Sequence, residues 1–221
     1  MDDEVKSKIL KTGTSIVGIV CKDGVVMAAD RKVTAGNLVM AKNTKKLIPV
    51  NDYLTVATTG NASDALLLVK VIRAELKLKE LKTKTRPTVK EAANLIAMVT
   101  YHNIRQPTMI PNIVGTLVAG INPDGTAELF SVEPAGGAYA IEDYDANFGS
   151  GMPFILGFLE RNWKQNLSVK EGIELAIESL KSSTQRDVAS GHGIDVYTLT
   201  KEGIKQVVDQ EIEAVYKERK K

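Results

Sequence analysis

Apolar positions along the chain follow two periodicities in blocks. Val17-Gly18-Ile19-Val20-Cys21 and Val25-Val26-Met27-Ala28-Ala29 are short, mostly β-branched runs separated by Lys22-Asp23-Gly24. Such runs around a glycine turn predict a hairpin. Leu47-Ile48-Pro49-Val50 and Tyr53-Leu54-Thr55-Val56-Ala57 repeat the pattern around Asn51-Asp52. Ala65, Leu66, Leu68, Val69, Ile72 and Leu76 then recur at helical spacing with lysines between them. Pro87 followed by Thr88-Val89-Lys90-Glu91 reads as a capping box opening a second helix, which runs to about Arg105. Strand character returns from Ile113 to Ile121, Ala127 to Val132 and Ala138 to Ile141, with Asn122-Pro123-Asp124-Gly125 as a turn. One further helix spans Ser150 to Trp163, and another starts at a second capping box, Ser168 with Glu171. Ile194 to Leu199 and Ile204 to Val208 close the chain as strands around Lys201-Glu202-Gly203.

The order is strands, two helices, strands, two helices, strands. Segregated strands and helices argue against an alternating parallel fold and for an α+β class with antiparallel sheets covered by helices. Several strand stretches are apolar over most of their length, which requires burial on both faces. Two stacked sheets between two helical layers provide that. No internal repeat, low-complexity run or linker divides the 221 residues, so a single domain is expected.

Composition narrows the function classes. Hydrophobic content of 43% and charged content of 25% are those of an ordinary soluble domain, and no apolar run reaches the length of a membrane span. The leader begins Asp2-Asp3-Glu4 and has no apolar centre, unlike a secretory signal. A single cysteine, Cys21, excludes an internal disulfide framework, and with only His102 and His192 beside it no zinc set is expected. The expected location is therefore the cytoplasm. A net charge of +2 gives no electrostatic case for nucleic acid, and the basic end Lys217 to Lys221 reads as a solvated tail.

The candidate chemistry starts at Gly13-Thr14-Ser15. A cut between Gly13 and Thr14 would make Thr14 N-terminal, giving it a hydroxyl nucleophile and a free backbone amine as base. That combination activates a hydroxyl for acyl transfer. Taken alone, Gly-Thr is a common pair, and a threonine opening a strand is its ordinary reading. Lys46 would lower the pKa of a nearby nucleophile, although a lone lysine before a strand is more often solvated. Asp30 ends the second apolar run, where a carboxylate can orient a lysine or form a plain surface pair. Gly60 lies between a strand and a helix, where a backbone N–H can hold an oxyanion. Ser150, in Phe148-Gly149-Ser150-Gly151-Met152-Pro153, reads as a helix cap. Asp187 and Ser190 lie in the glycine-rich loop Arg186 to Gly193, and a Ser190–His192 pairing there has only local spacing in its favour.

Together, in order and spacing, these segments resemble a proteasome β-subunit of the archaeal type. The resemblance runs from about Gly13 to about Glu211, carried by GTSIVGIVCKDGVVMAADRKVTAGNLV, the Lys46 region, Thr58-Thr59-Gly60, GSGMPFILGFLE and RDVASGHGIDVYTLT. It implies a four-layer αββα sandwich, the N-terminal nucleophile hydrolase fold. It implies a leader, residues 1–13, removed by self-cleavage, and a catalytic domain over 14–221. Thr14 is then the nucleophile, Asp30 and Lys46 the carboxylate and lysine beside it, and Gly60 N–H the oxyanion donor. Asp187 and Ser190 hold the threonine and its water, and Ser150 sits beside the N-terminus. Val33, Thr34, Thr44, Ile48, Thr58 and Ala62 match the substrate pocket; none is charged, which implies cleavage after apolar, uncharged residues. The implied partners are α-subunits and other β-subunits in seven-membered rings, stacked α7β7β7α7, with an ATP-dependent unfoldase delivering unfolded chains. No cofactor is implied. Ser15 and Ile16 stand where threonines are frequent in the family. The alternatives are a structural ring subunit that does not cut, which would be expected to lose Gly13, Thr14 or Lys46, and the shorter bacterial two-component peptidase of the same fold.

Overall fold

The computed structural model describes residues 13–211, so the leader and the basic tail lie outside the described residues. The order expected from the sequence is the order found. Six strands come first: β1 (Ile16–Cys21), β2 (Gly24–Asp30), β3 (Val33–Ala35), β4 (Leu38–Ala41), β5 (Leu47–Asn51) and β6 (Leu54–Gly60). Helices α1 (Ala62–Thr83) and α2 (Val89–Ile104) follow, then β7 (Val114–Ile121), β8 (Ala127–Val132), β9 (Ala138–Ile141) and β10 (Tyr144–Asp145). Helices α3 (Met152–Asn162) and α4 (Val169–Thr184) precede β11 (Gly193–Thr200) and β12 (Gly203–Glu211).

Two five-stranded antiparallel sheets form, ordered β10-β1-β2-β11-β12 and β5-β6-β7-β8-β9. The chain leaves the first sheet after β2 and returns for β10 and β11, so the two sheets can be stacked only by long-range contacts. Period-two alternation explains the stacking. In β2, Val25, Met27 and Ala29 face the second sheet, while Val26 and Ala28 face α3 and α4. In β7, Leu117, Ala119 and Ile121 face the first sheet, while Val114 and Val118 face α1 and α2. Both faces of β2 and of β7 are thus buried, and three apolar layers separate four layers of structure. This is the αββα sandwich.

Both capping boxes are present, Thr88 with Glu91 and Ser168 with Glu171, each pairing two helix-end N–H groups with side-chain oxygens. Three local readings differ from the expectation. The hairpin β3–β4 has no alternating apolar signal, because Leu38, Val39 and Met40 are all exposed on it. The two-residue β10 is too short for any periodicity, and it pairs with β1 at Gly18 and Ile19. Helix α3 begins at Met152 with Gly151 as its cap residue and no side-chain cap bond; Ser150 is not the cap, since its hydroxyl points to Asp187.

Leu129 is buried between the sheets, whereas Leu38 is 70% exposed. We expect Leu129→Ala to lower the unfolding free energy of the isolated chain by about 3 kcal/mol, and Leu38→Ala to change it by less than about 0.5 kcal/mol. Urea unfolding measures both. Equal effects would show that the inter-sheet layer does not carry the stability assigned to it.

Candidate active site

Thr14 precedes β1 and is buried, with 6% of its surface exposed. Its hydroxyl donates to the carbonyl of Gly13 at 2.7 Å, and its N–H donates to Ser150 Oγ at 3.1 Å. The Thr14 carbonyl accepts from Gly151 N–H at 3.2 Å, and Gly13 N–H donates to Thr34 Oγ1 at 3.3 Å. The nucleophile candidate is therefore held on both sides by backbone and hydroxyl contacts from distant parts of the chain.

Asp30, the last residue of β2, is fully buried. Its Oδ1 accepts from Lys46 Nζ at 2.6 Å and from Ser15 N–H at 2.8 Å. Its Oδ2 accepts from Gly191 N–H at 2.9 Å and Lys32 N–H at 3.0 Å. A carboxylate removed from water needs such a full set of donors. Lys46, directly before β5, is nearly as enclosed, with 6% exposed. Burial pushes its ammonium below the ordinary lysine range, and the nearby Asp30 only partly restores it.

A second charged cluster lies alongside. Arg31 follows Asp30 in the chain and is buried against Asp195 of β11, with Nε and an Nη at 3.0 and 2.5 Å from the carboxylate; it also contacts Asp209. Lys45 precedes Lys46 and donates to Asp195 at 2.8 Å. The hydrogen bonds that Arg31 donates to Asp195 hold its guanidinium above its usual range. Burial works against the charge on Lys45, but Asp195 and Asp209 carry it above its usual value. These two residues flank Asp30 and Lys46 and keep both segments in register.

Asp187 collects hydroxyls. Its Oδ2 accepts from Ser150 at 2.6 Å and from Ser190 at 2.5 Å, and its Oδ1 accepts from Ala189 N–H at 3.0 Å. Ser190 also lies 2.7 Å from Ser15 Oγ. Among the described residues no hydrogen bond joins Ser190 to His192, so the local Ser–His pairing is not formed. Cys21, the last residue of β1, is buried with its thiol pushed up to about 12, chiefly by burial, which removes it as a nucleophile.

A cavity of about 70 Å³ opens on Thr14, room for several water molecules. Gly13, Thr14, Lys46 and Gly60 line it, together with Val33, Thr44, Ile48, Thr58 and Ala62. Thr34 does not line it; its hydroxyl is used by Gly13 N–H. Sequence reasoning missed Thr59, Ala65 and Leu66 on the cavity wall, and missed Lys45, which joins the wall while its ammonium is bound to Asp195. It also missed the buried hydroxyls of Ser15 and Ser183. A signal existed for Ser183: it shares the helical stripe of Ala176 and Leu180, where an apolar residue is the rule. Among the described residues no group of three or more His, Cys, Asp or Glu is placed to hold a metal ion, and no helix is long and apolar enough to cross a membrane.

Asp30→Ala leaves the Lys46 ammonium buried without its counter-charge, and we expect a loss of about 3–5 kcal/mol in unfolding free energy. Adding Lys46→Met should recover part of that loss, because both charges are then gone. Urea titration of the two variants checks this; a double variant as unstable as the single would show that the ion pair is not the governing interaction.

Comparison with known proteins places this geometry in context. A family model described as "Proteasome subunit" matches residues 10–199. A protein of Thermococcus onnurineus named proteasome subunit beta 1 is 40% identical, over 93% of this chain and 97% of its own length. Proteasome subunit beta 2 of Pyrococcus abyssi is 39% identical, over 93% and 96%. Proteasome subunit beta of Ferroglobus placidus is 36% identical, over 96% and 97%.

Proposed function

The chain belongs to the proteasome subunit family, with beta subunits as its relatives, and on that premise we propose that it is a catalytic β-subunit, a threonine endopeptidase. The reading is carried by one observation. Thr14, directly behind Gly13, is buried with its hydroxyl on the Gly13 carbonyl, in a cavity shared with the Lys46–Asp30 pair.

The first reaction is on the chain itself. Thr14 Oγ attacks the carbonyl carbon of Gly13, the Gly13–Thr14 C–N bond breaks, and an ester on Oγ forms as the nitrogen becomes an amine. Water then hydrolyses the ester, freeing the leader with a Gly13 carboxylate and restoring the hydroxyl. Before this cut the Thr14 nitrogen is an amide and cannot serve as base. Lys46, whose charged form is disfavoured by burial, is the group suited to draw off the hydroxyl proton. Gly13 is required by space: a Cβ there would lie 1.8 Å from Ala189 Cβ.

In the cut chain the freed amine takes over as proton acceptor through a water, held by Ser150, Asp187 and Ser190. Thr14 Oγ attacks the carbonyl of a peptide, and Gly60 N–H stabilises the oxyanion. Loss of one such donor typically costs about a hundredfold in rate. The downstream fragment leaves as an amine carrying the transferred proton. Water then hydrolyses the acyl-enzyme. Val33, Ile48, Ala62, Ala65 and Leu66 on the wall favour apolar side chains. The chain works in rings with other β-subunits and α-subunits, in the order α7β7β7α7, on unfolded proteins delivered by an ATP-dependent unfoldase in the cytoplasm. The leader acts as the safety device, since the amine is blocked until it is removed.

Intact mass of the chain assembled with its α-subunits is expected to begin at Thr14. Thr14→Ala particles are expected to keep Met1 and to lack peptidase activity. A mass beginning at Met1 in assembled, unaltered particles would make the chain a structural ring member instead. Processing should also depend on pH. Below its depressed pKa Lys46 is protonated and cannot take a proton, so self-cleavage slows as pH falls and quickens as pH rises through that value. A time course of leader release across pH checks the sign; a rate that falls with rising pH would remove Lys46 from the role of base.

A further inference from the structure

A line of buried hydroxyls runs behind the site. Ser15, Ser183 and Ser190 are each 1% exposed or less. Ser183, in the last turn of α4, has its Oγ 2.5 Å from Ser15 Oγ, which lies 2.7 Å from Ser190 Oγ. Ser190 Oγ in turn lies 2.5 Å from Asp187 Oδ2.

The direction of every hydrogen in this line follows from counting. A carboxylate accepts and does not donate, and a serine has one hydrogen to give. Ser190 spends its hydrogen on Asp187, so its contact with Ser15 is made by the Ser15 hydrogen. Ser15 has then nothing left for Ser183, so that contact is made by the Ser183 hydrogen. All three O–H bonds therefore point from α4 toward Asp187. On the other side, Ser150 gives its hydrogen to the same Oδ2 and accepts from Thr14 N–H.

Two further observations set Ser183 apart. Its helix neighbours Ser179 and Thr184 bond back to the helix carbonyls of Ala176 and Lys181, the usual fate of a helical hydroxyl, whereas Ser183 reaches across to Ser15. A Cβ on Gly151 would lie 1.8 Å from Ser15 Oγ and 2.2 Å from Ser183 Oγ. The residue after Ser150 thus packs directly on the Ser183–Ser15 contact, and only glycine fits there.

We propose that Ser183 is a positioning residue for the Thr14 site, acting through Ser15 and Ser190 to fix the hydrogens donated to Asp187 and thereby the orientation of Ser150 toward the Thr14 nitrogen. The inference rests on the reading of Thr14 as nucleophile. Without the Ser183 hydrogen, the donor that polarises Ser15 and, through it, Ser190 is gone. The Ser190 hydrogen bond to Asp187 then weakens, and with it the balance between Ser190 and Ser150 at that carboxylate.

The test uses processed particles assembled with α-subunits, with unaltered and Thr14→Ala particles alongside. If unaltered particles do not cleave peptides, the nucleophile reading fails first. If they do, Ser183→Ala is expected to lower kcat about tenfold, with KM changed less than about twofold. In a Ser190→Ala background, Ser183→Ala should cause no further loss, because its route is already cut. Independent losses in that double variant, or a Ser183→Ala kcat within twofold of the unaltered chain, would overturn the proposal. Should Ser183→Ala not assemble, Ser15→Thr and Ser15→Val decide. They are alike in size and differ in the hydroxyl, so the threonine variant should keep its rate and the valine variant lose about tenfold. Equal rates in that pair would overturn it as well.

Discussion

The carboxylate of Asp30 is the contact on which the arrangement of the site depends. Four donors converge on it, from the start of β1, from just past the end of β2, from the loop before β11 and from the residue before β5. Three of the tied segments adjoin strands of the first sheet, and Lys46 opens the second. The ion pair is therefore a polar cross-link between stacked sheets that pack against each other mainly through apolar side chains. Apolar packing has no direction and cannot set a hydroxyl to within a few tenths of an ångström. A buried carboxylate can, because leaving any of its donors misaligned carries a desolvation cost that is not returned.

The surrounding charges reinforce this constraint. Arg31 and Lys45 meet at Asp195, one residue away in sequence from Asp30 and Lys46 respectively. The two ion pairs run side by side, so a twist that relieved one would break the other. Burial of so many polar groups is tolerated because three apolar layers flank them, between the sheets and beneath each pair of helices. Such groups add little net stability. What they contribute is a single geometry around Thr14.

On the proposed reading, the same geometry serves two reactions in succession. Gly13 lies against Ala189 and Ser150, so the leader's last residue occupies the space beside the nucleophile in the uncut chain. The base also changes between the two reactions, from Lys46 to the amine that the first cut releases. A site organised by Asp30 and Asp187 holds both candidate bases, Lys46 directly and the Thr14 nitrogen through Ser150.

Much of the fold was legible from local pattern. Apolar runs two to a hairpin, two capping boxes and the segregation of strands from helices lead to antiparallel sheets under helices, because period and cap chemistry are properties of neighbouring residues. Strands apolar on both faces led on to a double-layered core for the same reason. Thr14, Asp30, Lys46, Gly60, Ser150, Asp187 and Ser190 could be singled out by residue type and by resemblance. Their convergence was not visible, since Thr14 and Ser150 meet across 136 positions of sequence. Only the tertiary structure decided that Thr34 turns to Gly13, that Lys45 enters the cavity wall, and that Ser150 faces Asp187 instead of capping a helix. It alone aligned Ser183 with Ser15 and Ser190. Hydrogen bonds of that kind depend on where separate elements cross, and periodicity along one element carries no record of the crossing.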